Sequence, residues 1–149
     1  VVQQRPQRPS LKYQLAGQEL PGSGGPKVLV VDDDPDMTRL VSAALNSGGF
    51  SAIVAYDAVQ GMQVAQRDRP SLIIIDLHMP AGGGLRLLEK LQASEKTAET
   101  PVLVVTADAA SDLPRQAQAL GARGFLRKPL DLVQLVEAVA FHLQQQPAP

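Results

Sequence analysis

The chain contains no cysteine and no tryptophan, and only 3% of its residues are aromatic. Without thiols there is no disulfide, no thiolate metal site and no cysteine nucleophile. The absence fits a reducing compartment, and the chain is expected in the cytoplasm. Neither charge sign dominates: 14 Lys and Arg stand against 15 Asp and Glu, for a formal net charge of -1. Such a balance gives no electrostatic footprint for nucleic acid or an anionic membrane, so neither is expected as a partner. No apolar run approaches the roughly 18 residues of a membrane span, and no signal peptide is visible. An initiator methionine is also missing, which reads as a piece of something longer.

What is present suits one soluble domain. The 149 residues, 44% of them hydrophobic, are enough for a full core plus a tail. Residues 1–26, "VVQQRPQRPSLKYQLAGQELPGSGGP", are rich in Gln, Pro and Gly with few large apolar groups. They read as a flexible linker that cannot offset its ordering entropy by burial. Residues 146–149 read as a frayed tail, which leaves 27–145 as the folded domain.

Within it, short β-branched runs alternate with helical periodicity. Strands are expected at 27–31, 51–56, 72–76, 101–107 and 123–129. The first helix follows Asp34 as cap and Pro35 at its first position, and stops at Gly48-Gly49. Its apolar residues Met37, Leu40, Val41, Ala44 and Leu45 recur at helical spacing. The second is capped by Asp57, the third starts near Gly84, the fourth covers about 112–120, and the fifth is capped by Asp131. Five βα units in succession predict an α/β fold with a parallel sheet covered on both faces.

The stretch "SLIIIDLHMPAGGG" (71–84) sharpens this. Four consecutive aliphatics, Leu72 to Ile75, read as a strand buried on both faces. Asp76 then falls at its carboxyl end, where open α/β sheets place their ligand sites. A helix cap is the plainer role for an aspartate, but Pro80 and the glycines delay any helix.

Asp32 and Asp33 follow the first strand, Thr106 ends the fourth and Lys128 follows the fifth. In a parallel sheet these ends share one edge, so the residues converge. Two carboxylates about 4 Å apart repel by roughly 4 kcal/mol at an effective dielectric near 20. Three of them demand protons or a cation. Oxygen ligands alone favour Mg²⁺, which accepts a phosphate as a further ligand. A carboxylate can act as nucleophile in phosphoryl transfer, while an ammonium and a hydroxyl stabilise the phosphoryl oxygens.

With "VLVVDDDP", "IIIDLHMPAGGG", "VLVVTA" and "GFLRKPL" in this order, the chain resembles the response-regulator receiver domains of two-component signalling. The resemblance covers residues 27–145. It implies a doubly wound, flavodoxin-like five-stranded sheet of order 2-1-3-4-5 with five helices. It also implies Asp76 as phosphoacceptor, with a histidine kinase or phosphotransfer domain as the phosphohistidine donor. Asp33, Asp76 and the backbone carbonyl of His78 would bind Mg²⁺ directly, and Asp32 mainly through water. Thr106 and Lys128 would contact the phosphoryl group, and Lys128-Pro129 would be a cis peptide. Thr106 and Phe125 would form the switch, and helix four, strand five and the last helix would present the changing face to a downstream protein. The domain by itself would be no enzyme beyond self-phosphorylation and slow dephosphorylation. A long segment before it and little after it suggest the C-terminal receiver of a hybrid sensor kinase; a stand-alone regulator is the alternative.

Some positions keep two readings. His78, two after the acceptor, either screens attacking water or is simply solvated. Asp108 either tunes the rate or caps a loop, and Ala107 leaves phosphate access open. Gly82 and Gly83 suggest a loop that orders with metal or phosphate. Phe125 is either a switch aromatic or plain core, and His142 is expected on the surface. Val133 and Phe141, off the main apolar stripe of the last helix, could form a docking face. From other classes, a haloacid-dehalogenase-like phosphatase would use an Asp-x-Asp within Asp32-Asp33-Asp34, and a degenerate receiver would act only as a scaffold.

Overall fold

The computed structural model describes residues 24–108 and 110–145. The linker reading for 1–23 and the tail reading for 146–149 lie outside the described residues. Pro26, at the end of the expected linker, already belongs to the fold: its carbonyl accepts from Ser51 N at 2.9 Å.

Strands β1 (Lys27–Val31), β2 (Ser51–Ala55), β3 (Leu72–Asp76), β4 (Val102–Thr106) and β5 (Gly124–Arg127) alternate with five α-helices. These are α1 (Pro35–Ser47), α2 (Ala58–Asp68), α3 (Gly83–Ala93), α4 (Leu113–Ala119) and α5 (Leu132–Gln144). All pairings are parallel, in the order β2-β1-β3-β4-β5. The doubly wound fold expected from the sequence is the fold observed.

Three aspartates start helices as expected. Asp34 Oδ1 accepts from Asp36 N at 2.9 Å, Asp57 Oδ1 from Gln60 N at 2.8 Å, and Asp131 Oδ1 from Val133 N and Gln134 N. Each satisfies backbone donors that the first helical turn leaves open. The differences are small. A 3-10 turn at Pro80–Gly82 precedes α3, which begins at Gly83. Strands β2, β4 and β5 are shorter than expected; Pro101 accepts from Ile73 N but has no N–H to return.

Alternation along the strands divides the core. Leu29, Val31, Ile73, Ile75 and Val104 face α2 and α3 through Val64, Leu87, Leu88 and Leu91. Val28, Val30, Leu72, Ile74 and Val105 face α1 and α5 through Val41, Leu45, Leu135 and Val139. Burying each large aliphatic side chain is worth roughly 1.5–3 kcal/mol, which is what holds the strand ends in register. Helices thus lie on opposite faces on either side of β1 and β3, and the crevice between these strands opens at their carboxyl ends.

Two readings at the β5 end of the sheet are corrected. Phe125 is 42% exposed, so it is not plain core: it lies on the edge strand β5, paired with Val104 of β4. His142 is not a free surface residue. Its ring lies over Gly124, where a Cβ would fall 2.8 Å from Nε2, and it meets Phe141 edge to face. Burial, with Arg123 nearby, lowers its pKa. No helix among the described residues is long and apolar enough to cross a membrane.

Candidate functional site

Register brings the chemistry together. Val31 pairs with Ile75, so Asp32 and Asp76 are the next residues on neighbouring strands. Asp76 pairs with Val105, and Thr106 with Arg127, which sets Thr106 and Lys128 at the same edge. Two backbone bonds fasten these ends: Leu77 N donates to Val105 O, and Lys128 N to Thr106 O, both at 2.9 Å. The Lys128-Pro129 peptide is cis, as the resemblance implied.

One carboxylate oxygen from each of Asp32, Asp33 and Asp76 lies within 4.8 Å of the others. Asp32 and Asp76 are buried, while Asp33 is the more open of the three. Such all-oxygen donors suit a hard divalent cation. Asp76 is held at both oxygens. Its Oδ1 accepts from His78 N at 2.9 Å, and its Oδ2 receives Lys128 Nζ at 3.2 Å. The lysine side chain is 26% exposed, so the pair is shielded on the aspartate side and reachable from the lysine side.

Asp32 records the cost of this crowding. Burial raises its pKa to about 7; the Asp34 backbone N–H opposes the rise, the charge of Asp76 adds to it and Lys128 offsets part. The folded metal-free protein therefore holds a proton that the unfolded chain has lost above pH about 4. The Asp32 contribution to stability falls as pH rises from about 4 to about 7 and then levels off. Asp32→Asn keeps the acceptor for Asp34 N and removes the charge. It is expected to stabilise the metal-free protein by roughly 2–4 kcal/mol at pH 8 and hardly at all near pH 4. Urea unfolding of both proteins across that range checks this; a pH-independent difference would contradict it.

Thr106 is buried at 2% exposure. Its hydroxyl accepts from Asp108 N at 3.2 Å and approaches Asp108 O at 3.3 Å. His78 Nε2 lies 3.1 Å from the same oxygen. His78 is exposed yet engaged, so neither reading of it made from the sequence describes this contact. Asp108 acts on Thr106 through its backbone, and its side chain accepts from Ala110 N.

Gly84 is a residue whose role the sequence did not reveal. A Cβ there would lie 2.6 Å from Asp76 O and 2.9 Å from Leu77 Cα. Helix α3 therefore packs directly on the backbone that carries Asp76. The preceding turn is left-handed at Ala81 (φ 59°) and Gly82 (φ 66°).

The acidic triplet does not supply a phosphatase pair. Asp34, which would be the second carboxylate of the Asp-x-Asp, is engaged as the α1 cap.

Comparison with known proteins agrees with the site. The family model described as "Response regulator receiver domain" matches residues 28–140. The DNA-binding dual master transcriptional regulator RpaA of Synechocystis is 34% identical over 114 residues, which cover 76% of this chain and 47% of that protein. Hybrid signal transduction histidine kinase D of Dictyostelium discoideum is 32% identical over 114 residues, or 76% of this chain and 7% of the kinase. The chain thus spans about half the length of the regulator and far less of the kinase. Among solved structures, chemotaxis protein CheY4 of Vibrio cholerae superposes with a TM-score of 0.75 at 28% identity, covering 79% of this chain and 98% of that one. The receiver domain of sensor histidine kinase PA1611 from Pseudomonas aeruginosa, solved with magnesium in its active-site cleft, gives 0.76 at 24% identity, covering 82% and 100%. No support for the phosphatase alternative remains: this chain belongs to the response-regulator receiver domains of two-component signalling.

Proposed function

We propose that Asp76 accepts a phosphoryl group from a phosphohistidine and that the resulting charge changes a protein-binding surface. The observation that carries this is the Asp76 carboxylate itself, at the end of a buried strand, with Lys128 on one oxygen and two more aspartates beside it. The carboxylate oxygen attacks phosphorus and the P–N bond breaks. The imidazole leaves with the electron pair and takes up a proton. Lys128 then moves its charge from the carboxylate to the phosphoryl oxygens, and Thr106 donates its hydroxyl to one of them.

Asp33, Asp76 and the His78 carbonyl would hold Mg²⁺, with Asp32 acting through water; the three carboxylates fit such an ion by donor type and by their mutual repulsion. The ion would supply positive charge opposite the phosphoryl oxygens. As an isolated domain the chain would otherwise only hydrolyse its own aspartyl phosphate slowly.

The output face would be α4, β5 and α5. Phe125 is available to turn inward when Thr106 moves, a gain of at most roughly 1.5–3 kcal/mol, so the switch biases an existing equilibrium. Phe141 and Val133 are 56% and 70% exposed. Val133 also lines an apolar groove with Ala44, Gly48 and Val136, so part of this apolar surface faces α1.

A phosphohistidine-bearing donor protein, incubated with the chain and Mg²⁺, tests the reading. Intact mass should show one phosphoryl group moving from donor to chain. Loss of phosphate from the donor directly to water, with no adduct on the chain, would overturn it.

A further inference from the structure

The contact between His78 and Thr106 joins residues 28 apart in sequence and is not required by either strand. His78 hangs from the Asp76 loop, since its own N–H is held by Asp76 Oδ1. Its ring reaches across to the end of β4. The Thr106 oxygen there has three neighbours within hydrogen-bond distance: Asp108 N, Asp108 O and His78 Nε2. A hydroxyl has one proton to give and two lone pairs. Asp108 N occupies one lone pair, and the single proton goes either to Asp108 O or to His78 Nε2 in the tautomer with no hydrogen there; donating it to an anion requires whichever acceptor holds it to yield.

We propose that the His78 side chain, with Nε2 as the acceptor, is a positioning residue that competes with the phosphoryl group for the Thr106 hydroxyl proton and so sets how readily the switch is thrown. This rests on the reading that Asp76 takes the phosphoryl group and Thr106 answers it. The ring is exposed, so the contact can open without disturbing the core. A net hydrogen bond of this kind is worth enough to shift an equilibrium about two- to tenfold. Screening of water by the ring is a different role, and the two separate chemically. Phenylalanine keeps the ring and loses the hydrogen bond. Glutamine loses the ring and keeps a polar atom at similar reach.

Beryllofluoride, which mimics a phosphoryl group on a carboxylate, provides the probe, with binding followed by ¹⁹F NMR in Mg²⁺. His78→Phe is expected to bind it about two- to tenfold more tightly than wild type, and His78→Gln to within about twofold. In a Thr106→Ala background the effect of His78→Phe should vanish, because the hydroxyl it acts through is gone. A His78→Phe protein indistinguishable from wild type, or an effect that persists without the Thr106 hydroxyl, would overturn the proposal. Wild-type protein that binds no beryllofluoride would instead defeat the reading of Asp76 on which it stands, and the proposal with it.

Discussion

Phosphorylation of the chain is expected to fail when magnesium is removed, with a rate loss of roughly 100-fold or more. The reason lies in charge. Asp32, Asp33 and Asp76 place three carboxylate oxygens within 4.8 Å of one another, and Lys128 is the cation in contact with Asp76. A phosphoryl donor brings further negative charge to the same spot. Each carboxylate pair at about 4 Å costs roughly 4 kcal/mol at an effective dielectric near 20, and one ammonium cannot offset all of it. Without a cation the protein relieves part of the strain by protonating Asp32, whose pKa is about 7, but a proton offers nothing to orient the incoming phosphate. Adduct formation from a small acyl phosphate, followed by intact mass in Mg²⁺ and in EDTA, checks this. Equal yields in the two would contradict it.

Two adjacent glycines should behave in opposite ways. In most helices Gly→Ala stabilises by up to about 1 kcal/mol. At Gly83 a Cβ would meet Met79 and Ala58 at 3.7–3.8 Å, ordinary contact, so Gly83→Ala should be neutral or stabilising. At Gly84 the same methyl would fall 2.6 Å from Asp76 O and 2.9 Å from Leu77 Cα, both backbone atoms that no rotamer change can move aside. Either α3 lifts off the sheet or the end of β3 shifts. Gly84→Ala is therefore expected to cost about 1–3 kcal/mol, the range for overpacked cores, and to displace Asp76 from Lys128. Thermal unfolding of the two variants, together with their phosphorylation rates, would show it. A Gly84→Ala protein as stable and as reactive as Gly83→Ala would mean that the close approach of α3 has no role in holding the acceptor.

This pair also marks what the sequence could and could not reveal. Strand positions were legible because runs such as Leu72–Ile75 need burial on both faces, and helix starts because Asp34, Asp57 and Asp131 offer side-chain acceptors to open backbone donors. Convergence of Asp32, Asp76, Thr106 and Lys128 followed from the parallel sheet alone. The three glycines after Ala81 look alike as letters; only packing distinguishes Gly84, which touches backbone, from Gly83, which does not. His78 was unreadable for a related reason, since its reach to Thr106 depends on the path of a loop rather than on any periodicity. His142 looked like surface because the glycine that makes room for it, Gly124, lies on another element.

The central claim is that a single carboxylate, Asp76, carries the phosphoryl group. An acyl phosphate, unlike a free carboxylate, is reduced by borohydride to an alcohol, so the modified aspartate becomes homoserine. Phosphorylated protein treated in this way and mapped by peptide mass spectrometry should show homoserine at position 76 and at no other aspartate, with none in Asp76→Asn. Homoserine at Asp32 or Asp33, or persistence of the adduct in Asp76→Asn, would contradict the assignment.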